Sequence, residues 1–215
     1  MKRNKTVYKM SIVALLIGIM ALMGFTPIGT IQAGVLTISL LGIPLAITAC
    51  IFGPYYGALL GLVWGLIAIV QSITGMDPLG LTLLAINPFG LIVTCIVPRV
   101  LTGFLAGLVY KLNTKWDKKG HINSVVTCAL VTVFNTTFFM TSLTAFFLNT
   151  PELQGIAQAL SNTYGVNAFN PFLFIVFAVG INFLVEIAVN AIVGSAAVFG
   201  LEKATKHLNI KEDMK

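Results

Sequence analysis

Long apolar segments separated by short polar ones make up most of the chain. In residues 89–110, for example, the polar side chains are Thr94, Arg99 and Thr102. A helix needs roughly 20 apolar residues to cross the hydrocarbon core of a bilayer, and six segments have a suitable length. The pattern predicts an all-α integral membrane protein with one six-helix domain over residues 1–215. The predicted spans are residues 8–25, 36–52, 57–73, 89–110, 124–148 and 172–201.

The second predicted span is weaker than the others. Pro44 interrupts it and Gly53-Pro54 ends it. Proline removes a backbone hydrogen bond from a helix interior. We therefore expect this span to be short or broken, and a re-entrant helix is an alternative to a full crossing.

Two predicted spans begin with the same pair of residues. Asn87-Pro88 opens the fourth span and Asn170-Pro171 opens the sixth. Asn is a good cap residue and Pro suits the first position of a helix. The pairs indicate either two ordinary helix starts or two positive helix ends that attract an anion.

A further short helix is predicted between the last two spans. Thr150 suits a cap, Pro151 a first position and Glu152 a first turn. Gly165 is a suitable terminator. The resulting helix, over residues 151–164, is either a lid over one face of the bundle or an inert surface helix.

The charges are confined to a few segments. Residues 2–9, 111–119 and 203–215 hold every Lys and Arg except Arg99. Cytoplasmic loops of membrane proteins carry such an excess, so we predict that both termini are cytoplasmic. The composition, 57% hydrophobic and 9% charged, agrees with a membrane protein. The net charge of +6 therefore reflects the membrane topology and does not indicate nucleic-acid binding.

Sequence motifs for catalysis are missing. The chain has no phosphate-binding loop, no His-Glu-x-x-His, no Gly-x-Ser-x-Gly and no paired aspartates. Cys50, Cys95 and Cys128 lie in apolar sequence, without the spacing of a disulfide or a metal site. We expect neither an enzyme nor a bound metal or cofactor.

Arg99 is the charged residue that most needs an explanation. A central arginine costs roughly 2.5 to 3.5 kcal/mol on membrane-insertion scales, so an unpaired Arg99 without a ligand is not expected. Glu186, in the sixth span, lies at a similar depth. Either the two residues form an ion pair, or Arg99 binds a ligand carboxylate while Glu186 accepts from a ligand hydroxyl or amide.

Further polar and aromatic side chains occur in or beside the spans, where they have ordinary alternative roles. Membrane threonines often bond their own helix backbone, and aromatic side chains more often pack than bind a ligand. Asn182, Glu186 and Asn190 recur every four residues and predict a polar stripe on one helix. The candidate ligand-binding residues besides Arg99 and Glu186 are Trp64, Asn87, Asn135, Thr141, Tyr164 and Asn182.

Small residues recur at helical spacing in several spans, which lets a neighbouring backbone approach closely. Such a stripe in the third and fourth spans indicates packing within the bundle. The stripe of the first span lies on an otherwise bulky helix, so it faces either the bundle or a partner protein. The stripes are Gly53, Gly57, Gly61 and Gly65; Gly103 and Gly107; and Ala14, Gly18 and Ala21.

Taken together, these features resemble the substrate-binding S components of energy-coupling factor (ECF) vitamin transporters. The resemblance covers nearly the whole chain. Within the family, the pantothenate-type members are the most similar, and S components for riboflavin, folate, pyridoxine or hydroxymethylpyrimidine are the alternatives. The resemblance rests on the six short spans, the basic start, the small-residue stripes, Ile86-Asn87-Pro88, Val97-Pro98-Arg99 and Phe25-Thr26-Pro27-Ile28-Gly29.

The resemblance implies a protein of the bacterial cytoplasmic membrane that captures a vitamin from outside. It implies docking on a membrane coupling subunit driven by two ATPase subunits. The family's docking motif, Ala-x-x-x-Ala, maps onto Ala14 and Gly18, where Gly replaces the second Ala. The segments that close the site correspond to residues 26–39, 76–86 and 149–170. A self-sufficient channel or ion-coupled carrier is the alternative from a different class.

Overall fold

The computed structural model describes residues 2–27, 29–33, 36–114 and 121–205. In these ranges the chain is helical apart from one antiparallel hairpin, in which Thr30 pairs with Ser39. The predicted helical class is therefore confirmed. The elements are α1 (Lys2–Gly24), β1 (Thr30–Ala33), β2 (Leu36–Ser39), α2 (Gly42–Phe52), α3 (Pro54–Ile73), α4 (Pro78–Ile86), α5 (Pro88–Asn113), α6 (His121–Phe147), α7 (Pro151–Tyr164), α8 (Pro171–Val189), a π-helical segment (Asn190–Gly194) and α9 (Ser195–Thr205).

Five helical segments of the described chain are long and apolar enough to cross a membrane. Two further apolar helices are shorter, Gly42–Phe52 and Pro171–Gly180. The six-span count is thus not reproduced, and the cytoplasmic location of both termini stays a prediction. The five segments are Thr6–Gly24, Pro54–Ile73, Pro88–Asn113, Ile122–Phe147 and Phe183–Ala204.

The second predicted span is helical only in its second part. Its first residues, Leu36–Ser39, form strand β2, and its helix α2 has 11 residues. At 1.5 Å per residue such a helix is about 16 Å long, whereas the hydrocarbon core is roughly 30 Å thick. Ten of the residues of α2 are buried. The prediction of a short or broken span agrees with this. The end of α1 lies beside the end of α3, at the bond between Gln71 and the Gly24 carbonyl, so β2 and α2 together bring the chain back to the start of α3.

The sixth predicted span is interrupted. Gly180 adopts φ 46° and ψ −138° inside α8, a conformation that glycine reaches without the steric cost of a Cβ atom. The π-helical segment then separates α8 from α9. The break at Gly180 therefore divides the predicted span into a short helix, Pro171–Gly180, and a longer one, Phe183–Ala204, which includes the π-helical segment.

The predicted helix starts at Asn87, Thr150 and Asn170 agree in position with the structure. The Asn87 side chain accepts from the Gly90 amide, and the Asn170 side chain accepts from the Phe172 amide. Helix α7 has the predicted bounds and ends at Gly165 in the left-handed conformation. Thr150 occupies the predicted cap position of α7, but its hydroxyl makes no capping bond and donates to the Phe147 carbonyl at 2.7 Å instead.

The glycine stripes of α3 and α5 face each other across a backbone contact. A Cβ atom on Gly57 would meet the Gly103 carbonyl, and a Cβ atom on Gly61 would meet the Arg99 carbonyl. The contact confirms the prediction that these glycines serve packing within the bundle. It also fixes the position of the central part of α5 against α3.

Replacing Gly103 by Ala should destabilise the protein, because the new Cβ atom would collide with the backbone of Gly57 rather than with a flexible side chain. We expect a loss of about 1–3 kcal/mol in the free energy of unfolding, typical of overpacking in a close-packed interior. Thermal unfolding in detergent measures the effect. Gly200→Ala is the matched control, since nothing lies within 4 Å of a Cβ atom there; equal melting temperatures for the two variants would contradict the prediction.

Two ends of the bundle are used as landmarks below. The Asn87 end is the end at which α5 begins, and the Lys111 end is the one at which α5 finishes. The structure has two buried apolar clusters: one contains Leu45, Trp64 and Val131, and the other contains Leu91 and Phe147. Residues of both clusters line one cavity.

Candidate functional site

The cavity has a volume of about 510 Å³, within the range of roughly 300–1,000 Å³ of small-molecule sites. It lies between α3, α5, α6 and α8 and extends to the end of α1, to β2 and to α4. Its polar lining residues are few and concentrated in the helices. They are Thr26, Ser39, Gln71, Asp77, Thr94, Arg99, Asn135, Thr136 and Glu186, and the apolar lining includes Trp64, Leu83, Leu91, Phe139, Met140, Val179 and Phe183.

Arg99 lies roughly halfway along α5, about 16 Å from Pro88 at the helical rise of 1.5 Å per residue. Pro98 stands inside this helix and has no backbone N–H, so the Thr94 carbonyl loses its usual helical partner. The Arg99 Nη1 atom donates to that carbonyl at 2.6 Å. Pro98 thus leaves the Thr94 carbonyl without its helical donor, and Arg99 supplies a donor in its place. This bond holds the guanidinium group against its own helix.

Two aromatic rings flank the guanidinium group. The Arg99 Cζ atom is 4.7 Å from the centre of the Phe139 ring and 5.7 Å from that of Trp64. Trp64 is 5% exposed. Cation–π contacts of this kind stabilise a cation where water is scarce. They also leave the edge of the planar guanidinium group, with its N–H donors, available to a carboxylate.

Three buried polar atoms of the cavity have no hydrogen-bond partner among the described residues. They are the Nε atom of Arg99, the Oγ1 atom of Thr94 and the Oδ1 atom of Asn135. Buried polar groups in native proteins are almost always satisfied, and each one left unpaired costs about 1–3 kcal/mol. A donor, an acceptor and a hydroxyl group that can do both are thus unsatisfied in one cavity, which indicates that a polar ligand, or water in its place, completes the site.

Glu186 lines the same cavity but makes no ion pair with Arg99. Their charges interact at longer range, and the main chain of Ser39 lies beside the Glu186 carboxyl group. The ion pair considered from the sequence is therefore absent from the described side chains. The charge of Arg99 remains available to a ligand.

Of the other predicted site residues, Trp64 and Asn135 join Arg99 and Glu186 in the cavity. Asn87 does not line it and caps α5. Thr141 is exposed and bonds the Thr137 carbonyl of its own helix at 2.7 Å. Tyr164, 55% exposed, packs at 5.0 Å from the ring of Phe177.

The polar stripe predicted on the last span is only partly a site feature. The side chain of Asn182 lies outside the described residues. Asn190 is buried and donates to the Thr132 hydroxyl at 2.7 Å, so it holds the π-helical segment to α6. Glu186 is the member of the stripe that reaches the cavity.

Of the segments expected to close the site, residues 26–39 and 76–86 contribute lining side chains and residues 149–170 contribute none.

Sequence reasoning missed Gln71 and Asp77. The Gln71 Nε2 atom donates to the Gly24 carbonyl at 2.5 Å and ties the end of α1 to α3. Asp77 occupies the cap position of α4 without forming a capping bond, and it lines the cavity instead. A signal for Asp77 was present, because its pairing with Pro78 is typical of a helix start, but the sequence alone does not tell whether a cap residue is used.

The small residues of α1 lie largely on an open face. Ala14 and Gly18 are exposed, and nothing described lies within 4 Å of a Cβ atom built on Gly18. Ala21, one turn further on, is half-buried against the apolar cluster of Leu45 and Trp64. The first two residues, unlike Gly57 and its neighbours, therefore play no part in packing within the described bundle.

Comparison with known proteins assigns the chain to a family. Residues 8–197 match the family model described as "ECF transporter, substrate-specific component". The "Pantothenic acid transporter PanT" of Lactococcus lactis subsp. cremoris (strain MG1363) is 29% identical over 175 residues, which is 77% of this chain and 78% of that protein. The "Pantothenate transporter PanT" of Leuconostoc mesenteroides subsp. mesenteroides is 30% identical over 122 residues, 54% of this chain and 55% of that protein.

Proposed function

This chain belongs to the family of substrate-specific components of ECF transporters, and on that premise we propose that it is the pantothenate-binding subunit of an ECF-type importer. The relatives described as pantothenate transporters support the choice of vitamin. The observation that carries the proposal is the guanidinium group of Arg99, which lies beside two aromatic rings in the cavity with its Nε–H unsatisfied by the described residues.

The chemistry of pantothenate suits the lining of this cavity. The molecule has one carboxylate, one amide and two hydroxyl groups. Its carboxylate is the natural partner of Arg99, and its amide offers a donor to the unsatisfied Oδ1 atom of Asn135. The hydroxyl groups are donors to the carboxylates of Glu186 and Asp77. A flavin, by contrast, needs more stacking surface than the two rings beside Arg99 supply.

The remaining parts of the proposal concern partners and location. We propose that the protein lies in the bacterial cytoplasmic membrane with both termini inside and the Asn87 end outside. In this orientation the cavity receives the vitamin from outside. The open face of Ala14 and Gly18 then docks on a membrane coupling subunit, which is driven by two ATPase subunits.

Calorimetry on the purified protein tests the choice of vitamin. We expect pantothenate to bind with a Kd in the range of about 1 nM to 1 µM. Panthenol, in which an alcohol replaces the carboxylate, should bind about 100-fold more weakly because Arg99 then lacks its anion. Tight binding of riboflavin, folate, pyridoxine or hydroxymethylpyrimidine without binding of pantothenate would overturn the assignment. Equal affinity for panthenol would show that Arg99 does not bind the ligand carboxylate.

Reconstitution separates this function from that of a self-sufficient carrier. Proteoliposomes that contain this chain alone should bind pantothenate but accumulate none. Addition of the coupling subunit and both ATPases with ATP should start uptake. Uptake by the isolated chain, driven by an ion gradient, would instead establish a carrier.

A further inference from the structure

We infer that Asp77 and Glu186 make the site selective for charge, so that it admits a ligand with one negative charge and rejects the same ligand with a second anionic group at its far end. The inference rests on the proposed binding of pantothenate and adds the class of molecules that the site excludes. It assigns a role to Asp77, which is a cavity residue without a structural task of its own.

The charges that line the cavity are unbalanced. Among the described residues they are one cation, Arg99, and two carboxylates, Asp77 and Glu186. Neither carboxylate forms an ion pair with Arg99, and neither donates or accepts a hydrogen bond with a described side chain. A ligand carboxylate on Arg99 uses the available positive charge, so any further anionic group faces two carboxylates and no cation.

Asp77 is free to act on a ligand because it does not serve its helix. An aspartate at a cap position normally accepts from the backbone of the first helical turn. Asp77 has the extended backbone of a cap residue, with φ −110° and ψ 101°, yet its side chain makes no such bond. Its backbone amide donates to the Gln71 carbonyl at 3.2 Å, which holds the residue beside α3 at the Asn87 end.

The positions of Arg99 and Asp77 determine which end of the ligand each one meets. The charge of Arg99 lies beside the Thr94 carbonyl inside the bundle, and Asp77 lies in the connection between α3 and α4 at the Asn87 end. A ligand whose carboxylate binds Arg99 therefore points its other end towards Asp77. In pantothenate that end carries the primary hydroxyl group, which donates to a carboxylate. Phosphorylation of this hydroxyl replaces the donor by an anion and so turns an attraction into a repulsion.

The experiment compares three ligands that share one scaffold. They are pantothenate, its phosphate monoester at the primary hydroxyl and its acetate ester at the same oxygen. The acetate ester adds bulk without charge. For the wild-type protein we expect the phosphate ester to bind at least about 100-fold more weakly than pantothenate and the acetate ester less than about 10-fold more weakly.

Three variants identify the carboxylates as the cause. Asp77→Asn and Glu186→Gln keep an acceptor oxygen and remove the charge, so the affinity of each for pantothenate should fall by less than about 10-fold. Each should also recover about 3- to 10-fold of the affinity for the phosphate ester. Glu152→Gln is the control, because Glu152 lies in α7 and does not line the cavity. It should leave all three affinities unchanged.

The outcomes separate this inference from the proposed function. If wild-type protein binds pantothenate and its phosphate ester equally well, the inferred selectivity for charge is wrong, but the proposed binding of pantothenate is supported. If the two esters are rejected equally, or if neither carboxylate variant changes the discrimination, size and not charge excludes them and the inference is overturned. If folded protein binds none of the three ligands, the proposed function itself has failed.

Discussion

Replacing Arg99 by Met should abolish pantothenate binding, with a loss of at least about 100-fold in affinity, and should leave the unliganded protein folded. Met matches the arginine side chain only as far as the position of Nε, so it removes the guanidinium group together with its contacts with the rings of Trp64 and Phe139. Calorimetry measures the affinity, and thermal unfolding in detergent measures the stability of the unliganded protein.

The two readouts distinguish a ligand-binding arginine from a structural one. Removal of one partner of a buried ion pair typically costs about 3–5 kcal/mol, because the other charge is left uncompensated. Arg99 has no carboxylate partner, and it bonds only the Thr94 carbonyl among the described residues. The variant leaves the Thr94 carbonyl unpaired but also removes a buried charge that has no carboxylate partner. Because the two effects oppose each other, we expect the melting temperature of Arg99→Met to be close to that of the wild type. A variant that binds pantothenate normally, or one that simply unfolds, would contradict the assignment.

Lys111→Ala supplies the control for net charge. Lys111 is exposed in the last turn of α5 and does not line the cavity. The substitution removes one positive charge from the same helix without changing any residue that lines the cavity. The affinity for pantothenate should remain within about 2-fold of the wild-type value, since exposed charges at such distances are screened by salt.

Replacing Gly18 by Leu should block ATP-driven uptake and leave vitamin binding intact. Nothing described lies within 4 Å of a Cβ atom at Gly18, so a leucine fits the isolated protein. On a helix face that meets another helix closely, the same side chain separates the two backbones. We expect uptake by the reconstituted complex to fall by about 10-fold or more, with an unchanged Kd for pantothenate.

Gly200→Leu is the matched control for this docking face. Gly200 also has open space around its Cβ position but lies in α9. The same gain in bulk there should leave uptake unaltered. Loss of pantothenate binding in Gly18→Leu would assign the stripe to the fold, whereas equal inhibition by both variants would show that α1 is not a specific docking face.

Local features of this chain could be predicted where neighbouring residues decide the outcome. The bounds of α7 followed from Pro151 and Gly165, and the cap of α5 followed from Asn87, because a helix start or stop depends on a few adjacent residues. Arg99 could be singled out because a charged side chain in an apolar membrane helix has a high free-energy cost. Conversely, the short α2 was drawn too long, because hydropathy does not distinguish a strand from the first turn of a span.

The membership of the site could be predicted only in part. Arg99, Trp64, Asn135 and Glu186 line the cavity, and each is a polar or aromatic residue inside an apolar segment. Thr141 has the same character but points away from it. A one-residue change of position rotates a side chain by about 100° around a helix, so composition cannot say which face is turned inward.

By itself, the amino-acid sequence determined the helical class, the apolar segments, the presence of a charged arginine inside one of them and the resemblance to a transporter family. These properties depend on composition and on local sequence order. Only the tertiary structure decided that Glu186 does not pair with Arg99 and that Asp77 lines the cavity instead of capping α4. It also decided that Gly18 faces open space whereas Gly57 contacts α5. The physical reason is that the role of a charge or a small residue depends on what lies a few ångströms away, and those neighbours come from distant parts of the chain.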